Sequence, residues 1–91
     1  MEFTWDARKN RANRRKHGID FETAIVVFDD PFQVTLQDRE VEGEQRWQTI
    51  GMVNDLSILL VVHADEGEEP VRIVSARKAT PLERKIYARS N

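Results

Sequence analysis

The sequence predicts an α+β domain in which two N-terminal helices precede a four-stranded antiparallel sheet and a C-terminal helix closes the chain. Three observations carry that prediction. Helix boundary signals cluster before residue 31 and after residue 79, four β-rich runs with short turns fill the interval, and a continuous apolar run lies among them as expected of a central strand.

Each element has a local reason. Asp6 can N-cap a first helix from Ala7 to about His17. Its interior contains only Ala7 and Ala12 as apolar residues, so it lacks an ordinary core face and must be solvated or meet something charged. Lys9, Asn13, Lys16 and His17 fall on one stripe, at i, i+4, i+7 and i+8. Gly18 then supplies a left-handed C-terminal position, and Asp20 caps a second helix with Phe21, Ala24, Ile25 and Phe28 at core spacing. "DDP" at 29–31 ends that helix, because the residue before proline avoids the helical region. Four strands follow. "FQVTL" alternates with Phe32, Val34 and Leu36 on one face, and "EQRWQTIG" gathers Glu44, Arg46 and Gln48 opposite Trp47. "SILLVVHA" reads as the central strand and "VRIVSA" completes the set, with "DEGEEP" at 65–70 as a solvated turn before it. "TPLE" at 80–83 is a capping box with proline at the first helical position, and Leu82 and Ile86 aim the last helix at the sheet.

At 91 residues the chain is read as one domain over 1–91, too small to divide into two cores. It has no cysteine, which removes disulfides, thiolate metal sites and cysteine nucleophiles and points to a reducing, cytoplasmic setting. The longest apolar run, "ILLVV" at 58–62, is far short of the roughly 20 residues of a membrane span, so no membrane partner is expected.

The net charge of −2 conceals an ordered distribution. Residues 1–17 hold six Lys/Arg against Glu2 and Asp6, a local charge of +4. Residues 18–70 carry −11, and residues 71–91 carry +5, with Glu83 as their one acid. If the fold joins the two basic ends, they make a cationic surface suited to a polyanion such as RNA or to an acidic protein; the alternative is that opposite segments merely neutralise one another.

Most catalytic signatures are missing. There is no Gly-rich phosphate loop and no H-E-x-x-H, and the two histidines are separated by 45 intervening residues, so neither a metal site nor a cofactor is expected. Ser57 and Ser75 lack the glycine-flanked turn of a hydrolase nucleophile, and His63 reads as a structural histidine in the central strand. What remains is Lys16, His17, Arg46, Arg72, Arg77 and Lys78, with Glu44. These types suit RNA cleavage without a metal, which needs a base for the 2′-hydroxyl, cations for the phosphate and an acid for the leaving 5′-oxygen. Each also has a structural reading: Glu44 and Arg46 can simply pair along a strand, and Arg77 can cap the sheet edge.

"FTWD", Lys9 and Asn13, "RKHGIDFETA", "VFDDP", "EQRWQTIG", "LLVV", "RIVSARKAT" and "ERKIY" come in an order that resembles the BrnT toxin family of type II toxin–antitoxin systems. The resemblance implies a RelE-like ribonuclease fold, toxicity through RNA cleavage, and neutralisation by a BrnA-like antitoxin with a ribbon-helix-helix domain, through which operator DNA would mainly be contacted. It implies catalytic roles for Lys16, His17, Glu44, Arg46 and Arg77; beside them, Lys9, Asn13, Arg72, Lys78 and Arg84 are read as contacting RNA. The chain departs from the family text at Thr23, where an acid is typical, and Tyr87 is its one candidate for a C-terminal catalytic tyrosine. A non-catalytic module that docks an acidic protein or blocks the ribosome is the competing function class.

Overall fold

The computed structural model describes residues 1–54, 57–64 and 69–90. In chain order the elements are β1 (Phe3–Thr4), α1 (Ala7–His17), α2 (Phe21–Ala24), a 3-10 segment (Ile25–Asp29), β2 (Val34–Val41), β3 (Glu44–Val53), β4 (Ser57–Ala64), β5 (Val71–Lys78) and α3 (Pro81–Arg89). The turn expected at 65–70 lies largely outside the described residues.

The helix boundaries follow from local chemistry. The Asp6 carboxylate accepts from the amides of Arg8 and Lys9 at 2.7 and 3.1 Å, satisfying two N–H groups that α1 cannot. Gly18, at φ 72°, donates to the Arg14 carbonyl and ends the helix with four basic residues in its last turn. α3 starts on the full Thr80–Glu83 capping box. The second helix differs from expectation, since one α turn from Phe21 to Ala24 tightens into 3-10 geometry instead of running on to Phe28. Ile25, Val26 and Val27 form a β-branched run that disfavours a long α-helix. The tighter coil also sets Val27 against β3 at Gly51, where an added methyl would lie 2.8 Å from the Val27 Cβ.

The sheet has five strands in the order β1-β5-β4-β3-β2, and it is mixed where four antiparallel strands were expected. The extra strand is the two-residue β1, which runs parallel to β5 through Phe3↔Val71 and Thr4↔Arg72 and is too short to show alternation. Residues paired across neighbouring strands share a face. One face carries Val53, Leu59, Val61, Ile73 and Ala76 against Phe21, Ala24 and Val27. The other carries Ile50 and Leu60 against Ala79 and Tyr87, with Ile86 packed alongside. Fully burying residues such as Phe21, Ile50 and Leu60 contributes roughly 1.5–3 kcal/mol each. Two expected core residues are elsewhere: Leu82 is 68% exposed on the outer side of α3, and Phe32 is 57% exposed in the turn before β2. His63 is buried, its Nε2 2.7 Å from Thr49 Oγ1 and its ring edge-on to Phe28. No helix among the described residues is long and apolar enough to cross a membrane.

The sheet edges are handled in two ways. β1 covers β5 only at Val71 and Arg72, so the backbone of Ala76 faces outward without a strand. Asn13 of α1 fills that gap. Its amide oxygen accepts from Ala76 N–H at 3.1 Å, and its nitrogen donates at 2.8 Å to the carbonyls of both Ala76 and Ile19. A side-chain amide thus stands in for a strand, and it seats α1 along the edge of β5. The opposite edge, β2, breaks register between Gln37 and Glu40 and carries Asp38, Glu40 and Glu42 on or beside it, features that discourage pairing with another sheet.

Asn13→Ala leaves three backbone groups to water or to nothing, and we expect a loss of about 2–3 kcal/mol in urea unfolding. Asn13→Asp should fall similarly, because it keeps the acceptor but sets carboxylate oxygen against two carbonyls. A loss under 0.5 kcal/mol for both, the scale of a plain surface change, would show that the edge needs no such partner.

Candidate functional site

α3 covers only part of its sheet face. Beyond Ile50 and Leu60 the same face continues through two rows of paired residues, Gln48–Val62–Ser75 and Arg46–Ala64–Arg72. Ser75 and Arg72 share this face despite their odd spacing, because the register shifts between Val62 and His63 and leaves Val74 as an extra residue in β5. Ala64 lies between the two arginines in its row, so no bulky side chain separates them. Their backbones are about 10 Å apart, two strand spacings.

Glu44 lies one strand repeat from Arg46 on β3 and turns to the same side. Its Oε1 accepts a hydrogen bond from the Arg72 guanidinium and sits 3.4 Å from Arg46 Nε. The second contact is off the line of a hydrogen bond, and Arg46 Nε is buried with no hydrogen-bond partner among the described residues. One carboxylate oxygen therefore faces two cations, and one of those cations retains an unused buried donor.

Arg77 pairs with Leu60 and so shares this face, nearer α3. It makes a fork-to-fork contact with Glu83, at 2.7 and 2.9 Å. That hydrogen-bonded pairing with Glu83 raises the Arg77 pKa and, seen from the other partner, lowers that of Glu83 despite its partial burial. Glu83 is also the third residue of the α3 capping box, so Arg77 is bound into the start of the helix.

The stripe on α1 is real, but its members differ. Lys9, Ala12, Asn13, Lys16 and His17 line a cleft of about 260 Å³ with Val74 and Ser75 of β5. Asn10, on the other flank of α1, bonds the Phe21 amide and Glu22, over the first face of the sheet. The flank with Lys9 and Lys16 accordingly turns toward the face that bears Arg72 and Arg46, and the cleft opens beside it at Ser75. Asn13 is buried and its amide is committed to backbone, which takes it out of the solvent-facing set. Lys78 pairs with Leu59 and belongs to the opposite face from Arg77, and Arg84 is exposed on α3. The structure thus brings together Glu44, Arg46 and Arg72, sets Arg77 nearby in its own ion pair, and lines the edge with Lys9, Lys16 and His17. Sequence reasoning missed Ser75, which joins cleft and face, and Glu83 as the partner of Arg77; the capping box was the available signal for Glu83. Among the described residues no three His, Asp or Glu side chains converge as metal ligands would.

Against known proteins, the profile of the family described as "Ribonuclease toxin, BrnT, of type II toxin-antitoxin system" matches residues 5–83. Among solved structures the chain is similar to the Brucella abortus ribonuclease toxin BrnT, with 28% sequence identity and a TM-score of 0.66 over 88% of this chain and 97% of that one. Comparison with curated proteins finds no match.

Tyr87 lies beyond the matched span. Its hydroxyl donates to Asp30 Oδ2 at 2.5 Å, an oxygen that also accepts from the Met52 amide, while Oδ1 accepts from Phe32 N–H. Burial opposes ionisation of Asp30, but the bonds from Tyr87, Met52 and Phe32 outweigh it and hold the carboxyl below its usual pKa. Burial first, and then the bond to Asp30, push the Tyr87 hydroxyl up to about 12. A phenol so placed fastens α3 to the turn before β2 and is a poor base near neutrality. Its folded pKa exceeds the unfolded value, so its contribution to stability is complete below pH 10 and lost as pH rises toward 12. Because the chain has one tyrosine, phenolate absorbance reads this group alone, and ionisation should be centred near pH 12 in the folded protein. Tyr87→Phe should abolish the alkaline limb of the stability curve and cost about 1.5–3 kcal/mol at neutral pH. Titration near pH 10 in the native state would disprove the contact.

Proposed function

The chain belongs to the BrnT family of ribonuclease toxins of type II toxin–antitoxin systems, and from that premise we propose that it cleaves RNA without a metal ion on the uncovered end of its sheet. One observation carries the location: Glu44 sits against Arg46 and Arg72 in a half-buried cluster beyond the edge of α3, with a buried guanidinium donor still unused. An RNA phosphate supplies several oxygens where Glu44 supplies one, so it can take over the arginines and release the carboxylate. The freed Glu44 accepts the proton of the 2′-hydroxyl, and the 2′-oxygen attacks phosphorus. The bond to the 5′-oxygen breaks, leaving a 2′,3′-cyclic phosphate. Arg46 and Arg72 stabilise the charge that builds on the non-bridging oxygens. The leaving oxygen takes its proton from the edge of the face, where His17 and Lys16 stand, and Arg77 contributes charge from its pairing with Glu83. The reading without a metal rests on the donor set, guanidinium groups around a single carboxylate. A RelE-like assignment of the fold is part of the same proposal, as are action in the cytoplasm and inhibition of translation through loss of RNA.

A type II toxin implies an antitoxin. We take the partner to be BrnA-like, with a ribbon-helix-helix domain that makes most of the contact with operator DNA, while its remainder covers the cations of the toxin.

Purified protein should degrade RNA in EDTA and leave 2′,3′-cyclic phosphate ends. Arg46→Ala should slow cleavage by about a hundred- to a thousand-fold without unfolding the chain, and Lys16→Ala and His17→Ala by about ten- to a thousand-fold. Intact RNA after prolonged incubation with folded protein would favour a docking module that works without chemistry.

Expression of the chain alone should arrest growth of a host cell, and co-expression of a BrnA-like antitoxin should restore it through a tight complex. Arrest that the antitoxin leaves unchanged, with no complex recovered, would reject the pairing.

A further inference from the structure

Apart from Arg84 on α3, the cations described so far face the cleft or the sheet, yet α1 carries another set that does neither. At ~100° per residue, Arg8, Arg11 and Arg15 lie within about 40° of the direction opposite the buried Asn13. All three are exposed, and among the described residues none enters an ion pair within 4.0 Å. Asp6, at the helix cap, is the acid that feels Arg8 and Lys9. Arg8 and Arg11 are three residues apart, and Arg11 and Arg15 four, so like charges repel along the ridge in the isolated protein. The helix tolerates this because Asn13 anchors it to Ala76 and because Asp6 and Gly18 close its ends.

We infer that the ridge Arg8–Arg11–Arg15 is a second RNA-docking surface, which grips the phosphate backbone of a strand whose scissile phosphate lies on the sheet face. This deepens the ribonuclease reading and rests on it. The choice of RNA over an acidic protein comes from the residues. The ridge consists of arginines, whose planar forks suit phosphate, and the apolar residues on the exposed part of α1 are only Ala7 and Ala12. Protein interfaces are anchored by large apolar and aromatic side chains, which this surface lacks. The ridge is also continuous with the site. Going round the helix from Arg11, Arg15 and Arg8, the sequence of side chains passes Ala12 to Lys16 and Lys9, which border the cleft at Ser75. A strand leaving Arg72 over the edge of β5 meets the two lysines first and the arginines next.

The test is the full chain carrying Arg8→Gln, Arg11→Gln and Arg15→Gln together. Glutamine removes the charge while keeping helix propensity, and relief of repulsion should leave the thermal midpoint unchanged or higher, which guards against misfolding. The probe is a 2′-O-methyl oligoribonucleotide, long enough to pass from sheet to helix and unable to be cleaved, so binding is measured whether or not the protein is a nuclease. The triple variant should bind it about tenfold or more weakly at fixed salt. The slope of log K against log salt should fall by about 2, as expected for three lost contacts to a single strand. Unchanged affinity and slope would overturn the inference, and with cleavage intact would leave the ribonuclease reading standing. A variant that binds the probe normally but fails to hold its antitoxin would assign the ridge to the acidic protein and equally overturn it.

Discussion

An antiparallel strand at the margin of a sheet has backbone groups pointing away from it, and something must meet them. In this fold the strand is β5, and a single side-chain amide answers the need at Ala76. The consequence reaches far along the chain. By fixing α1 against that edge, Asn13 decides which flank of the helix borders the open sheet face and which looks outward. The placement of Lys9, Lys16 and His17 beside Ser75 is therefore set by hydrogen bonding rather than by apolar packing. This is how a helix with almost no hydrophobic surface keeps a defined position in a small domain.

The other side of the sheet is divided between packing and chemistry. Ile86 and Tyr87 of α3 cover Ile50 and Leu60, and two polar contacts hold the helix there, Tyr87 to Asp30 at one end and Arg77 to Glu83 at the other. The rows beyond carry half-buried polar side chains around the buried Ala64. Small residues at their centre, Ala64 especially, let arginines on non-adjacent strands address one carboxylate. Arg77 stands at the boundary, with its charge present on the face and its donors already engaged. That division explains why a protein with a net charge of −2 presents guanidinium groups without an excess of cations overall.

Much of this was legible where cause and effect lie within a few residues. The caps at Asp6, Asp20 and Thr80, the stop at Gly18 and the four principal strands are all local, and the shared side of Glu44, Arg46 and Gln48 follows from strand alternation. What escaped depended on distant partners. β1 is a strand only because Val71 and Arg72 are there to pair with it, and the 3-10 segment tightens where Val27 meets the bare backbone of Gly51. Leu82 and Ile86 look like one helix face by spacing, yet the helix rolls toward Tyr87, whose hydroxyl bonds a carboxylate 57 residues away. Asn13 shows the same limit most clearly. Its place among lysines and histidine on a polar stripe reads as exposed, and no periodicity reveals that an amide will pair with a strand. In the site, the residue types were legible and their partners were not.

The strand order also has an electrical consequence. With basic α1 at one margin and the acidic β2 hairpin at the other, the two margins of the sheet carry charge of opposite sign, with paired charges between them. These margins contribute a dipolar component beside a small net charge, so a nearby polyanion exerts a torque as well as a weak net force. Rotation brings the α1 margin forward before contact, so encounters are biased toward productive orientations although the chain as a whole is repelled. The bias operates within a few Debye lengths, each about 8 Å at physiological ionic strength.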